Sequence, residues 1–172
     1  MCDSKTSERE ECAMEQGFSG VTIRAANNRD VERVKQLVFD TLREHGLKPD
    51  PETTDADLED IEESYFKRGG MFEVLEDTEG NLLGTVGLYA LENETCELRK
   101  MYFAPELRGR GLGRHMLERT VENARRLGFK IMRLETASVL EKAIRLYTRF
   151  GFKPFEMTHK SARCDQTYFM EL

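Results

Sequence analysis

The chain has 172 residues, 39% apolar and 34% charged, with a formal net charge of −6. That length fits one domain able to bury roughly 70% of its unfolded surface without a disulfide or metal staple. The composition excludes collagen-like, coiled-coil, membrane-spanning and disordered classes, and the acidic balance argues against a general nucleic-acid binder.

In chain order, residues 1–20 read as a polar tail that the fold can do without. Residues 1–16 hold seven charged positions and no apolar core, so they do not read as a signal peptide. A short β-prone run, 21–25, is followed by the capping residues Asn27, Asn28, Arg29 and Asp30. Val31, Val34, Leu37, Val38 and Leu42 then recur at helical spacing until Gly46. A second helix is predicted over 55–68, with Leu58, Ile61 and Tyr65 on one face and Gly69-Gly70 as its stop. Strands 71–76 and 82–91 join across Asp77-Thr78-Glu79-Gly80 as a hairpin, and a third antiparallel strand runs 95–103.

After Pro105 the glycine-rich stretch Leu107-Arg108-Gly109-Arg110-Gly111-Leu112-Gly113 leads into a helix. That helix is expected to carry Met116, Leu117, Val121, Ala124 and Leu127 on its buried face and to stop at Gly128. A strand over 130–136, a helix over 139–150 and strands over 151–154 and 166–172 complete the order. A strand, crossover helix and strand require a parallel pair within a mixed sheet, so the fold class is α/β, or α+β in looser usage, as one domain over 21–172.

Charge is unevenly spread. Residues 50–63 carry eight acids (Asp50, Glu52, Asp55, Asp57, Glu59, Asp60, Glu62, Glu63) and no base, whereas residues 99–133 carry ten bases against three acids. Cys2, Cys12, Cys96 and Cys164 lack any CxxC or Cys/His spacing, and His45, His115 and His159 lie far apart. Free thiols in a reducing cytoplasm, with no metal site, are the expectation.

The glycine turn carries the chemistry. Glycines at alternating positions between a strand and a helix let backbone N–H groups converge on one point. The helix terminus and Arg108, Arg110 and Arg114 add positive charge there, which suits a phosphate or pyrophosphate. A dinucleotide fingerprint fails for want of the third glycine, and a Walker loop fails because Gly113 is followed by Arg114 and His115.

Arg108-Gly109-Arg110-Gly111-Leu112-Gly113 resembles the (Gln/Arg)-x-x-Gly-x-(Gly/Ala) signature of the GNAT superfamily of acetyl-CoA-dependent N-acetyltransferases. Met101-Tyr102-Phe103-Ala104-Pro105 is similar to that family's preceding strand and loop. Ala143-Ile144-Arg145-Leu146-Tyr147 and Phe150-Gly151-Phe152 resemble its "AIxLYxxxGF" segment. The resemblance implies a mixed, mostly antiparallel sheet flanked by helices, with parallel strands splayed around Met101 and Leu134. It also implies acetyl-CoA as co-substrate. The pyrophosphate would lie on the N–H groups of Arg108, Gly109, Arg110, Gly111, Leu112, Gly113 and Arg114, and the pantetheine arm on backbone near Met101 and Phe103. Many members carry Asn where this chain has Leu140, whose side chain offers the cofactor arm no hydrogen bond.

Transfer of an acetyl group to an amine asks for a base toward the amine and an acid toward the departing thiolate. By the resemblance Tyr147 is the acid, facing the thioester sulfur, and Glu97 on the strand before the turn is the candidate base. His45 and Tyr65 lie on elements that wall the acceptor site, and His115 reads as a surface residue. The acceptor is expected to be a small-molecule or peptide amine, and the acids at 50–63 read either as a solvated helix face that suits the helix dipole or as a field that would favour a cationic acceptor. No nucleic acid or membrane partner is expected, and a homodimer stays open. The competing readings are an acetyl-CoA-binding sensor without activity and, more weakly, a nucleotide binder.

Overall fold

A computed structural model of the chain describes residues 19–158 and 161–172. The polar tail to residue 18, with Cys2 and Cys12, and His159 lie outside the described residues.

Asn27 starts the first helix as its side chain predicts. Its Oδ1 accepts from the Arg29 N–H at 3.0 Å, and Asp30 reaches back to the Asn27 N–H at 3.0 Å, a reciprocal capping box. Beyond a 3₁₀ turn (Asn28–Asp30), helix α1 runs Val31–Glu44 and buries Val31, Val34, Val38 and Leu42. Strand β1 is Val21–Ala25, β2 Met71–Asp77, β3 Leu82–Ala90, β4 Thr95–Phe103, β5 Ile131–Thr136, β6 Lys153–Pro154 and β7 Gln166–Glu171. Helix α2 spans Leu112–Arg126 and α3 spans Glu141–Phe150. Among the described residues, these seven strands form one sheet in the order β1-β2-β3-β4-β5-β7-β6, antiparallel except for the parallel pair β4–β5.

The helix expected over 55–68 is broken. A 3₁₀ turn, Ala56–Leu58, is followed by a wide π-type turn, Glu62–Phe66. Asp60 causes the break: its Oδ1 accepts from the Glu63 N–H at 2.8 Å and from the Asn28 side chain at 2.9 Å, so it caps a new turn instead of continuing the old one. Leu58, Ile61 and Tyr65 are nevertheless all fully buried, as their spacing implied. Gly87 permits this, because a Cβ there would stand 2.7 Å from the Tyr65 ring.

Two cores flank the sheet. α2 and α3 bury Leu112, Met116, Leu117, Val121 and Tyr147 against Leu88, Cys96, Leu98, Met132 and Leu134 on one face. α1 and the two short turns pack on Phe72 and Val74 on the other.

Two irregularities open the sheet at its centre. The β4–β5 ladder pairs only Thr95 with Ile131, Cys96 with Met132 and Glu97 with Arg133, so the strands part before Met101. Opposite, the β3–β4 register slips between Thr85 and Gly87, and the bulged Lys100 takes φ 53°. That left-handed conformation costs a lysine about 1 kcal/mol. The buried Thr85 hydroxyl holds it by donating to the Lys100 carbonyl at 2.6 Å.

Candidate active site

The parted strands and the start of α2 enclose a cleft of about 710 Å³. Of the predicted site residues, Glu97, Met101, Phe103, Arg108, Gly109, Gly113 and Tyr147 line it together. Arg110, Gly111, Leu112 and Arg114 do not. Leu112 sends its side chain into the core, Arg114 pairs with Glu118 at 2.9 Å, and Arg110 is exposed.

The turn presents backbone rather than guanidinium groups. Gly109 and Gly111 hold φ of 75° and 82°, and a Cβ on either would meet nothing of the protein within 4 Å. Their role is therefore conformational: they orient successive N–H groups outward. Among the described residues, the N–H groups of residues 109–114 have no protein acceptor, and the first helical bond of α2 is His115 to Gly111. Such a run at a helix start is an anion-binding geometry. Arg108, expected to add charge for a phosphate, is committed elsewhere. Its Nε donates to the Phe103 carbonyl at 2.7 Å, and its terminal nitrogens bind both oxygens of Glu44 at 2.5 and 2.8 Å. It braces the turn against α1.

Tyr147 is 8% exposed and packs against Phe152, ring centres 5.8 Å apart. Burial pushes its phenol up, so the hydroxyl stays protonated at neutral pH. Glu97, also 8% exposed, receives Arg99 Nε at 2.8 Å and Nη2 at 3.3 Å, and the Arg99 guanidinium lies 3.9 Å over the Tyr89 ring. His45 lines the cleft, whereas Tyr65 does not: its buried hydroxyl donates to Asp57. His115 is half-buried and outside the lining. Leu140 lines the cleft without a side-chain donor.

The acidic run is largely neutralised within the protein. Asp50 caps Thr53 and Thr54, Asp60 caps Glu63, Glu59 pairs with Lys35, Glu63 with Lys67, and Glu62 accepts from the Asn28 N–H. Asp55 and Asp57 are buried. Lys100 Nζ donates to Asp55 at 2.7 Å and to the Thr54 carbonyl at 3.0 Å, and it lies 3.2 Å from Asp57 Oδ1, an ionic contact without hydrogen-bond alignment. Arg163 closes on Asp55 from the β6–β7 loop. The count of eight acids thus overstated the negative charge free to attract a cationic amine.

The chain matches the Acetyltransferase (GNAT) family over residues 32–152. It is 35% identical over 136 residues to an uncharacterized N-acetyltransferase of Escherichia coli, across 76% of this chain and 81% of that one. The chain belongs to the GNAT family. Among solved structures, a GNAT-family acetyltransferase of Staphylococcus aureus superposes with a TM-score of 0.82 at 23% identity, over 88% of this chain and 98% of the other. A phosphinothricin acetyltransferase of Sinorhizobium meliloti in complex with AcCoA superposes with a TM-score of 0.66 at 21% identity, over 89% and 88%.

As a GNAT member the chain is an acyltransferase, and its named relatives favour an enzyme over a silent sensor. No helix among the described residues is long and apolar enough to cross a membrane. Cys96 and Cys164 are free thiols, and burial pushes Cys96 up to about 12, which leaves it unreactive. The GNAT scaffold also gathers residues that motif reading missed: Lys100, Asp55 and Arg163 in one buried cluster, and Arg133 beside Glu97. One signal was available. Glu97, Arg99, Arg133 and Glu135 alternate with apolar residues along β4 and β5, the mark of a sheet face left open to a polar ligand.

Proposed function

We propose that this GNAT enzyme transfers an acetyl group from acetyl-CoA to a primary amine by direct attack within a ternary complex. The observation that carries this reading is the run of N–H groups over residues 109–114 without acceptors, at the edge of a cleft that also holds Tyr147 and Glu97. These N–H groups fit a pyrophosphate, and the parting of β4 from β5 beside Met101 leaves room for an extended pantetheine arm. Acetyl-CoA supplies the activated thioester.

The residues of the chain then divide the proton chemistry. Glu97 receives the proton that the amine must lose, directly or through a water. Tyr147, kept protonated by burial, supplies one to the departing thiolate. The Arg99 guanidinium fixes the Glu97 carboxylate on the open face of β4. No covalent enzyme intermediate is required, and the pushed-up Cys96 supports none. The free thiols at Cys96 and Cys164 support a reducing, cytoplasmic setting.

The test is release of CoA thiol from acetyl-CoA in the presence of a panel of amines, with acetyl-CoA binding followed by calorimetry. Amine-dependent release supports the transferase. Binding without release to any amine would favour the sensor.

A further inference from the structure

On the face of the sheet opposite α2 and α3, β4 and β5 present four charged residues. Cys96, Leu98, Met132 and Leu134 enter the larger core, so alternation puts Glu97, Arg99, Arg133 and Glu135 on the other side. Three of the four are satisfied within the protein. Glu97 and Arg99 bind each other, and Glu135 accepts from the Ser161 N–H at 2.9 Å and hydroxyl at 2.6 Å. Arg133 is the exception. Its Nε is buried without an acceptor, and no carboxylate among the described residues pairs with it. A buried guanidinium nitrogen left unpaired is costly, so its partner comes from outside the chain, a water or an anion, and the positive charge favours the anion.

The register fixes where that anion would sit. Tyr89, Glu97 and Arg133 are direct neighbours across β3, β4 and β5. On the Tyr89–Arg133 side lies a groove of about 770 Å³, lined also by Arg68 and, at its rim, by the exposed Glu92. Arg68 is exposed, lies 5.4 Å from the Tyr89 ring centre and has no carboxylate partner among the described residues. Two guanidinium groups without carboxylate partners thus border one groove; Glu97 lines the active-site cleft instead, and Arg133 is its direct neighbour across β4 and β5. Adjacent strands are about 4.8 Å apart. A compact molecule carrying an amine and a carboxylate spans that step, whereas a polyamine has nothing to offer Arg133.

We infer that the acceptor is an amino acid-like zwitterion, whose carboxylate is held by Arg133 with Arg68 at the outer side while its amine faces Glu97. This rests on the reading of Glu97 as the residue facing the amine, and it replaces the cationic acceptor that the acid count alone suggested. Arg133 then acts as the specificity-determining residue for the acceptor.

The experiment compares initial rates for L-glutamate, L-methionine and L-phenylalanine with their α-amides and with spermidine, at saturating acetyl-CoA. Free acids are expected to exceed the matching amides in kcat/KM by about tenfold or more, the range of a charge-assisted hydrogen bond. Arg133→Gln should collapse that preference, chiefly through the acceptor KM. Arg68→Gln, at an exposed position that leaves folding intact, should reduce it by a smaller factor. Calorimetric binding of acetyl-CoA to each variant reports its folding. Equal or better use of the amides or of spermidine overturns the inference. So does an unchanged acid-to-amide ratio in Arg68→Gln together with a folded Arg133→Gln, or failure of the CoA-bound protein to acetylate or bind any of the three acids. Failure of the Glu97 reading is separable: Glu97→Gln would then leave the rate intact while the acid-to-amide ratio still followed Arg133.

Discussion

Arg163 grips Asp55 through both terminal nitrogens, each 2.6 Å from a carboxylate oxygen, although 108 residues separate the two. The same carboxylate takes Lys100 Nζ at 2.7 Å and caps the Asp50 N–H at 2.9 Å. One fully buried aspartate therefore joins the loop after α1, the bulge of β4 and the loop between β6 and β7. All three segments contribute to the cleft lining, through Thr54, Lys100 and Arg163. The strained φ of Lys100 persists because its ammonium is tied at the far end.

Asp55→Ala should therefore destabilise the fold by roughly 3–5 kcal/mol, since it strips Arg163 of its carboxylate and leaves Lys100 with only Asp57 and the Thr54 carbonyl. Urea unfolding followed by circular dichroism checks this, and a loss below 1 kcal/mol would show that the cluster adds little. The acid dependence follows with a definite sign. Burial alone would raise the Asp55 carboxyl. The Arg163 hydrogen bonds, the Lys100 charge and the Asp50 N–H outweigh it and hold the group at about 2, below its ordinary 3.8. Its contribution is then full above about pH 4 and fades as pH falls toward 2. Stability curves of wild type and Asp55→Asn, measured against pH, should converge across that window.

Tyr147→Phe tests the acid. The substitution keeps the ring packed on Phe152 and deletes only the hydroxyl. A kcat lower by about 10²–10⁴, with acetyl-CoA affinity within about twofold, is expected if the hydroxyl protonates the thiolate. An unchanged kcat would leave Tyr147 as a core residue alone.

Gly111→Val addresses the anion turn. Space for the side chain exists on the protein side, so the effect comes from the backbone: valine at φ 82° is strained, and relaxation would turn the N–H groups away. Calorimetry should show CoA binding weakened by at least about tenfold, with the unfolding midpoint of the unliganded protein lowered only slightly. Equal weakening by a variant of the exposed Arg110 would assign the affinity to side-chain charge instead.

What the sequence displayed and what it hid follow from the range of the forces involved. The glycine turn, the Asn27 cap and the β-prone runs of β2 to β5 are local, and each was readable before any coordinates. The break at Asp60 was not, because it depends on Asn28, distant in sequence, offering its amide to the same carboxylate. The neutralisation of the acidic run was hidden for a similar reason. Its neutralising partners Lys35, Lys100 and Arg163 arrive from three separate elements, and a charge count along the chain does not reveal them. Lys100 in a left-handed conformation has no signature in residue type at all.

Glu97→Gln bears on the base. The amide cannot take a proton, and it accepts from Arg99 through one oxygen where the carboxylate uses two. If Glu97 deprotonates the acceptor, kcat/KM should fall by about 10²–10⁴ at pH 7. The loss should shrink as pH approaches the amine's own pKa, near 10.4 for an alkylamine, because the neutral amine then no longer needs a base. Replacing the acceptor with an analogue of lower amine pKa should restore the rate in the same way. A defect of constant size across pH and across acceptors would mean that Glu97 orients Arg99 or the substrate and that the proton leaves by water.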